Sequence, residues 1–495
     1  MENEKILVVD VGTSSLRGIL FDRAGKAVFK SQREYELETS GDGAVEMELS
    51  ILDGHLTSVL EDAGAWLKEQ NEELACITVT AQRSSVIPVD QDGNALAKAM
   101  MWQDTRAGEI CRGFEKEKSR IYRICGMRPS PVFSAPKIRY IRQHNEELYR
   151  KAYKLTGFQE YVICRLSGRF ATDYSIASRT CLFDIRKLDW SEELLELFDV
   201  DREKLCPLIR AGNRAGDTRD GITRLLGLNH PVPVLSAGGD QQCASLGMGC
   251  VEDGKIAANS GTGSYVIAVS DEPVSDDEMQ VNCNLSAIPG KWIVEGSVLS
   301  AGKTVNWLNR LLFDGQDTAF EEMTKACRTS PAGARGMIFL PLLAGKGTPS
   351  WNPGERGIIL GLGFEHTKAD FGRALLEGIA GEMKECIQII SRLTGKTYDM
   401  VKVAGGMTRN DLYNQIQADM YEMPVVRSFD NEATGLGAWI SAAKEIGWYE
   451  SYKEAYEAAS AGASETRYEP DQNNTGIYEH LYSNMRQKEA AVYYQ

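Results

Sequence analysis

The chain has 495 residues, 43% of them hydrophobic and 25% charged, and a formal net charge of −15. That length exceeds one hydrophobic core and asks for two large domains, or about three of roughly 150 residues each. So acidic a chain has no global attraction to nucleic acid or to an anionic membrane, and any phosphate it binds must be held locally by backbone amides and a few basic side chains.

The start, "MENEKILVVDVGTSS", has no basic region followed by a long apolar run, and nothing later approaches the roughly 20 apolar residues that cross a bilayer. A cytoplasmic protein is expected. "KILVVDVGTSSLRGILFDRAGKAV" reads as a buried strand (Ile6 to Val9), a glycine turn, a returning strand (Leu16 to Phe21) and a second tight turn. That is a hairpin, not the strand-to-helix unit of a dinucleotide fold. A helix containing "SVLEDAGAWLKEQ" follows, then a strand "CITVTA" ending at "QRSS", then "VIPVDQDGNAL", a further strand and turn. From about Glu109 to Leu228 the pattern is mostly helical, an insertion on an α/β scaffold.

The apolar run "PVPVLSA" leads into "AGGDQQCASLGMG", Ala237 to Gly249, which puts Asp240 between paired glycines and two amides. The glycines let backbone approach something closely, and an acid at the carboxyl end of a buried strand stands where open α/β sheets bind ligands. Asp240 is equally well read as the cap of the helix that follows. The second half then repeats the first in outline. "KIAANSGTGSYVIAVS" is strand, Gly-Thr-Gly turn and strand, and "VKVAGGMTRNDLYNQIQADMYEMPV" is strand, glycine pair and helix. Two halves, 1–248 and 249–495, with a cleft between them are expected, and the tail beyond about Tyr468 reads as a polar, peripheral helix.

Three turns carry the chemistry. In "DVGTSSLR", Asp10 ends a strand and Gly12, Thr13 and Ser14 form a compact nest of N–H groups and hydroxyls, suited to phosphate oxygens, with Asp10 able to hold Mg²⁺ through water. "NSGTGS", Asn259 to Ser264, and "AGGMTRN", Ala404 to Asn410, are two more. Each alone is as well read as an ordinary polar turn. Three, each directly behind an apolar strand and divided between the halves, point to a nucleotide across the cleft, although none is a Walker A loop. The 11 cysteines are odd in number and lack a C-x-x-C pair, and the five histidines make no i, i+4 pair, so neither disulfides, zinc nor a Ser-His-Asp triad is indicated.

These ordered pieces resemble the FGGY family of carbohydrate kinases, and the resemblance covers nearly the whole chain. "GIILGLGFEHTKADFGRALLEG", Gly357 to Gly378, is similar to that family's C-terminal signature, and "VFSAPKIRYIRQH" to its N-terminal one, except that Tyr140 stands where the pattern has tryptophan. "FLPLLAGKGTPSWNPGERG" looks like its adenine-side segment. The resemblance implies a two-domain actin-like, ribonuclease-H-like α/β fold, ATP and Mg²⁺ as cofactors, and phosphorylation of a terminal hydroxyl on a small sugar or polyol. It implies Asp240 as catalytic base; Gln82, Arg83, Trp102 and Gln241 as substrate contacts; and Asp10 as the metal's organiser. Thr13, Ser14 and Arg17, beside Gly12, would lie near the γ-phosphate, Gly261, Thr262 and Gly263 would hold the β- and γ-phosphates, and Gly405, Gly406 and Asn410 would face the α-phosphate and adenosine. Glycerol kinases resemble the chain at Arg83, at Trp102 and in "ASRTCLFDIRKLDW", but carry glutamate at the place of Ser84 and tyrosine at the place of Val132. Xylulose and gluconate kinases have Gln-Met-His where this chain has Gln82-Arg83-Ser84. A homodimer is compatible with the resemblance, and a chaperone-like ATPase of the same fold without a sugar is the rival from another class.

Overall fold

In this computed structural model residues 3–313, 319–427, 432–461 and 465–493 are described. Two large sheets dominate. The first is built from β1 (Glu4–Val11), β2 (Ser15–Phe21), β3 (Ala27–Glu34), β4 (Glu73–Ala81), β5 (Arg214–Asp217) and β6 (Pro233–Gly239), in the order β5-β6-β4-β1-β2-β3. The second contains β7 (Ile256–Ser260), β8 (Ser264–Ser270), β9 (Asn282–Leu285), β10 (Trp292–Val298), β11 (Val401–Ala404), β12 (Val425–Arg427) and β13 (Thr466–Tyr468), in the order β9-β10-β8-β7-β11-β12-β13. The duplication expected from the two hairpins is present in the pairing itself. In the first sheet β1, β2 and β3 run antiparallel while β4 and β6 extend β1 in parallel. In the second, β7, β8 and β10 are antiparallel and β11 and β12 extend β7 in parallel.

The central strand β1 carries an unbroken apolar run, Ile6 to Val9, because both of its faces are covered. Leu7, Val9 and Val11 of β1 pack toward α1 (Leu49–Gln70), whereas Ile6 and Val8 pack on the opposite face against Leu436, Trp439 and Ile440. The inserted region contributes α2 (Ser134–His144) and α3 (Phe158–Ser167), and a core of its own forms around Ile121, Phe133, Ile138 and Phe183.

The halves interlock through one helix each. α4 (Asp240–Gly247) places Ala244 against Ala257, Ile267 and Ile293 of the second sheet. Beyond it come α5 (Lys368–Thr394) and α6 (Asp411–Tyr421), and α7 (Ala433–Glu445) then returns to lie under the first sheet. Where α4 and α7 cross, the backbones touch: a Cβ on Gly247 would sit 2.0 Å from the Ala433 carbonyl oxygen, and one on Gly437 would sit 1.8 Å from that of Cys243.

The tail departs from the sequence expectation. α8 (Gln472–Tyr493) is no peripheral helix, since it buries Tyr478, Leu481, Met485 and Glu489. Its charged residues enter because they are neutralised: Lys346 Nζ lies 2.7 Å from Glu382, 2.7 Å from Glu385 and 2.8 Å from Glu489, and Arg486 pairs with the same three acids. All eleven cysteines are free and all but Cys111 are buried, as a core role requires. Among the described residues no helix is long and apolar enough to cross a membrane.

Candidate active site

β6 ends at Gly239 and α4 begins with Asp240, so the acid stands at the carboxyl edge of the first sheet. Gly239, not Asp240, is the N-cap, which removes the capping reading, and Asp240 instead accepts the N–H of its neighbour Gln241 at 2.7 Å. Backbone does approach closely here, as the glycines suggested: a Cβ on Gly239 would sit 2.7 Å from Arg83 Cδ. Arg83 Nε lies 3.2 Å from Asp240 Oδ1, and the aspartate side chain keeps 23% of its surface exposed. Burial raises the Asp240 carboxyl above the usual range, and the Arg83 guanidinium opposes that rise.

A row of charges extends from this pair. Glu295 on β10 is 1% exposed, with Arg83 Nη1 at 3.5 Å and Arg179 Nη1 at 3.3 Å. Burial alone would hold Glu295 neutral, yet the two guanidiniums outweigh it and keep its carboxyl below the ordinary range. Arg179 in turn lies over the Phe133 ring at 5.0 Å. The first half supplies both arginines and the second half supplies the glutamate. Neither Arg179 nor Glu295 was singled out as a site residue from sequence; an acid in the middle of the apolar strand "WIVEGSV" was the signal available for the latter.

The Gly12 turn is bound to the same wall. Gln82 Nε2 donates to the Gly12 carbonyl at 3.0 Å, Tyr35 donates its phenol to that carbonyl as well, and Trp102 Nε1 donates to Thr13 Oγ1 at 3.1 Å. The described hydrogen bonds of Gln82 and Trp102, expected at the sugar, therefore reach the phosphate-type turn. Ser14 at the tip is exposed. Asp10, 3% exposed, pairs with Arg17 across the hairpin at 3.4 Å, and burial pushes its carboxyl up to about 7. Arg17 also reaches Glu432, at the head of α7, at 3.3 Å, and Lys30 bonds the same glutamate.

The other two turns meet across the second sheet. Gly261 and Thr262 are exposed at the β7–β8 turn, and the Gly261 N–H closes it on the Gly263 carbonyl at 2.9 Å. Gly405 has φ +96° and comes so close to the first turn that a Cβ would sit 2.4 Å from the Ser260 carbonyl oxygen. Gly406 has nothing within 4 Å of where a Cβ would stand. Asn410 is the N-cap of α6, its oxygen accepting from Leu412 and Tyr413 N–H while its amide donates to Thr324. Gln241 bridges the halves, its Oε1 accepting from Asn259 Nδ2 at 3.4 Å.

This arrangement places an acid and an arginine at one sheet edge and three short turns with exposed backbone around the opening beside it. Residues 5–247 match the N-terminal domain of the FGGY family of carbohydrate kinases, and residues 256–446 match its C-terminal domain. A xylulose kinase of Lactococcus lactis is 28% identical over 483 residues, 97% of this chain and 96% of that protein. A glycerol kinase of Thermococcus gammatolerans is 32% identical over 459 residues, 91% of this chain and 90% of that one. Among solved structures, ligand-bound xylulose kinase from Lactobacillus acidophilus superposes with a TM-score of 0.92 at 24% identity, covering 99% of this chain and 98% of the other. Plasmodium falciparum glycerol kinase with ADP gives 0.89 at 24% identity, covering 98% of each. The chain belongs to the FGGY family of carbohydrate kinases, enzymes of actin-like two-domain fold that phosphorylate an alcohol group of a sugar or polyol at the expense of ATP.

Proposed function

We propose that the cleft transfers the γ-phosphoryl group of ATP to a terminal hydroxyl of a small ketose or polyol, with Asp240 as general base. The observation that carries this reading is the Asp240–Arg83 pair, 3.2 Å apart, with the aspartate side chain still partly exposed. Asp240 takes the hydroxyl proton as the oxygen attacks phosphorus. That proton need leave only late in a loose transition state, so positioning and charge neutralisation lower most of the barrier. Arg83 and Gln241 orient the acceptor. Trp102 and Gln82 fix the Gly12 turn relative to it, so that Gly12, Thr13, Ser14 and Arg17 meet the γ-phosphate while Gly261, Thr262 and Gly263 take the β- and γ-oxygens. Gly405 brings its turn against the Ser260 turn, Gly406 leaves space for the α-phosphate and adenosine, and Asn410 contributes by capping α6.

Magnesium fits at Asp10. A buried carboxyl raised to about 7 with Arg17 at 3.4 Å gains from a hard cation that brings its own waters. Bound there, the ion would neutralise charge on the transferring phosphoryl group. A chaperone-like ATPase of the same fold would instead hydrolyse ATP without an acceptor. The test is ADP release measured against a panel of polyols, ketoses and sugar acids. ADP formed at one rate with and without every acceptor overturns the reading.

A further inference from the structure

Lys137, in α2, has 0% of its surface exposed, and among the described residues no carboxylate is bonded to it. Its ammonium donates instead to backbone carbonyls: Pro131 at 2.5 Å, Val132 at 2.6 Å, Phe133 at 3.3 Å and Ser84 at 3.4 Å. Three N–H groups serve four acceptors, so at least one N–H is shared between two carbonyls. A buried cation is expensive unless something neutralises or solvates it, and here converging carbonyl dipoles do what water would do.

The carbonyls come from two separate segments. One is the loop 131–133 that leads into α2. The other is Ser84, which follows Arg83 and holds φ +73°, a conformation costly for a residue other than glycine. Both segments lead to Arg179. Ser84 Oγ donates to the Arg179 carbonyl at 3.1 Å, and the Phe133 ring carries the Arg179 guanidinium. Arg179 holds Glu295, Glu295 holds Arg83, and Arg83 meets Asp240.

We propose that Lys137 is a positioning residue whose ammonium gathers the carbonyls of residues 131–133 and Ser84 into one cage and thereby sets the shape of the acceptor pocket through Phe133 and Arg179. This rests on the kinase reading above. It makes a single fully buried charge, bonded among the described residues to none of the phosphate-type turns, responsible for acceptor affinity and not for ATP affinity.

Lys137→Met fills the same volume and removes the charge. The expected result in the folded variant is an acceptor KM raised roughly tenfold or more with the ATP KM within about twofold of wild type. An acceptor KM within about twofold of wild type overturns the proposal. Should Lys137→Met fail to fold, the wild-type enzyme supplies the measurement. Burial lowers the Lys137 ammonium to about 7 against the opposing pull of Asp104, with the Cys111 and Cys181 thiols also facing it. The acceptor KM then rises as pH increases from about 6.5 to about 9 while the ATP KM does not follow, and a flat acceptor KM over that range overturns the proposal. Failure of the kinase reading looks different: the wild-type chain makes no acceptor-dependent ADP at any pH, and the positioning role falls with it.

Discussion

Arg83 Nε sits 3.2 Å from Asp240 Oδ1, and the same guanidinium reaches Glu295 at 3.5 Å, so Asp240 and a buried acid of the other half share one arginine. Burial raises the Asp240 carboxyl above its ordinary range, and the Arg83 guanidinium opposes that rise. Asp240→Asn should fold, bind ATP, and lose roughly 10²- to 10⁴-fold in kcat, the usual worth of a general base. Arg83→Met should also move the acid limb of the kcat–pH profile to higher pH, because a carboxyl without its cation gives up its proton later. Near-normal turnover in Asp240→Asn would take Asp240 out of the chemistry.

Glu295 is the partner both arginines need. Glu295→Gln leaves two guanidiniums, at 9% and 8% exposure, with their shared counter-charge removed. Breaking a buried ion pair on one side costs about 3 to 5 kcal/mol, discounted here because Arg83 keeps Asp240. Thermal melting should drop by several degrees, and the acceptor KM should rise more than the ATP KM. A variant that melts with the wild type and binds both substrates equally well would make the row incidental.

The two glycines of the third turn separate strain from ligand space. Gly405→Ala places a Cβ 2.4 Å from the Ser260 carbonyl oxygen at φ +96°, so it should lower the melting temperature as well as weaken ATP binding. Gly406 has open space within 4 Å, so Gly406→Ala should leave melting unchanged and raise the ATP KM alone. Equal ATP KM in Gly406→Ala and wild type would place the nucleotide elsewhere.

Glu160 gives the stability a pH dependence of unusual sign. It is the third residue of α3, 5% exposed, and its Oε2 accepts the Gly157 N–H at 3.0 Å. Burial raises its carboxyl from 4.5 to about 7, so the folded state binds the extra proton between those values. Stability from this group is present below the unfolded value and declines as pH rises toward about 7, by at most about 3 kcal/mol at 1.36 per unit. Glu160→Gln keeps an acceptor for Gly157 and removes the charge. It should melt a few degrees higher than wild type at pH about 8, with the difference fading toward pH about 4.5. Parallel melting curves at both pH values would contradict this.

The paired hairpins were legible because a strand, a glycine turn and a returning apolar strand define their own register, whereas the residues around Asp240 read equally well as a helix cap, and only the family resemblance pointed to a base there. Long-range charge pairing was not. Arg179 and Arg83 lie 116 and 212 residues from Glu295, and nothing local in "WIVEGSV" names them. The tail was misread for the same reason: Arg486 and Glu489 look like solvent-facing residues until Lys346 and Glu382 are brought to them. Gln82, expected at the sugar, has its amide nitrogen on the Gly12 carbonyl, a contact that nothing local in "AQRSS" names.

The acceptor pocket itself yields the last prediction. Glycerol kinases carry a glutamate at the place of Ser84 and a tyrosine at that of Val132. Here the Ser84 hydroxyl is turned to the Arg179 carbonyl at 3.1 Å, so it offers no charged acceptor to a substrate. Val132, partly buried, has neither the volume nor the phenol of a tyrosine, and its carbonyl is held by Lys137 at 2.6 Å. A site built to bond a hydroxyl rejects an analogue that lacks it, whereas a site without those partners gains nothing specific from three carbons. The polar groups that remain are Arg83, Asp240 and Gln241. A four- to six-carbon polyol or ketose should therefore exceed glycerol in kcat/KM by roughly tenfold or more, about 1.4 kcal/mol of transition-state binding. Restoring the acid should narrow the gap, so Ser84→Glu with Val132→Tyr should shift preference toward glycerol. If glycerol outperforms every longer compound with the wild-type enzyme, the widened pocket is wrong and Arg83, Trp102 and Gln241 are the positions where alanine substitution would find the missing contacts.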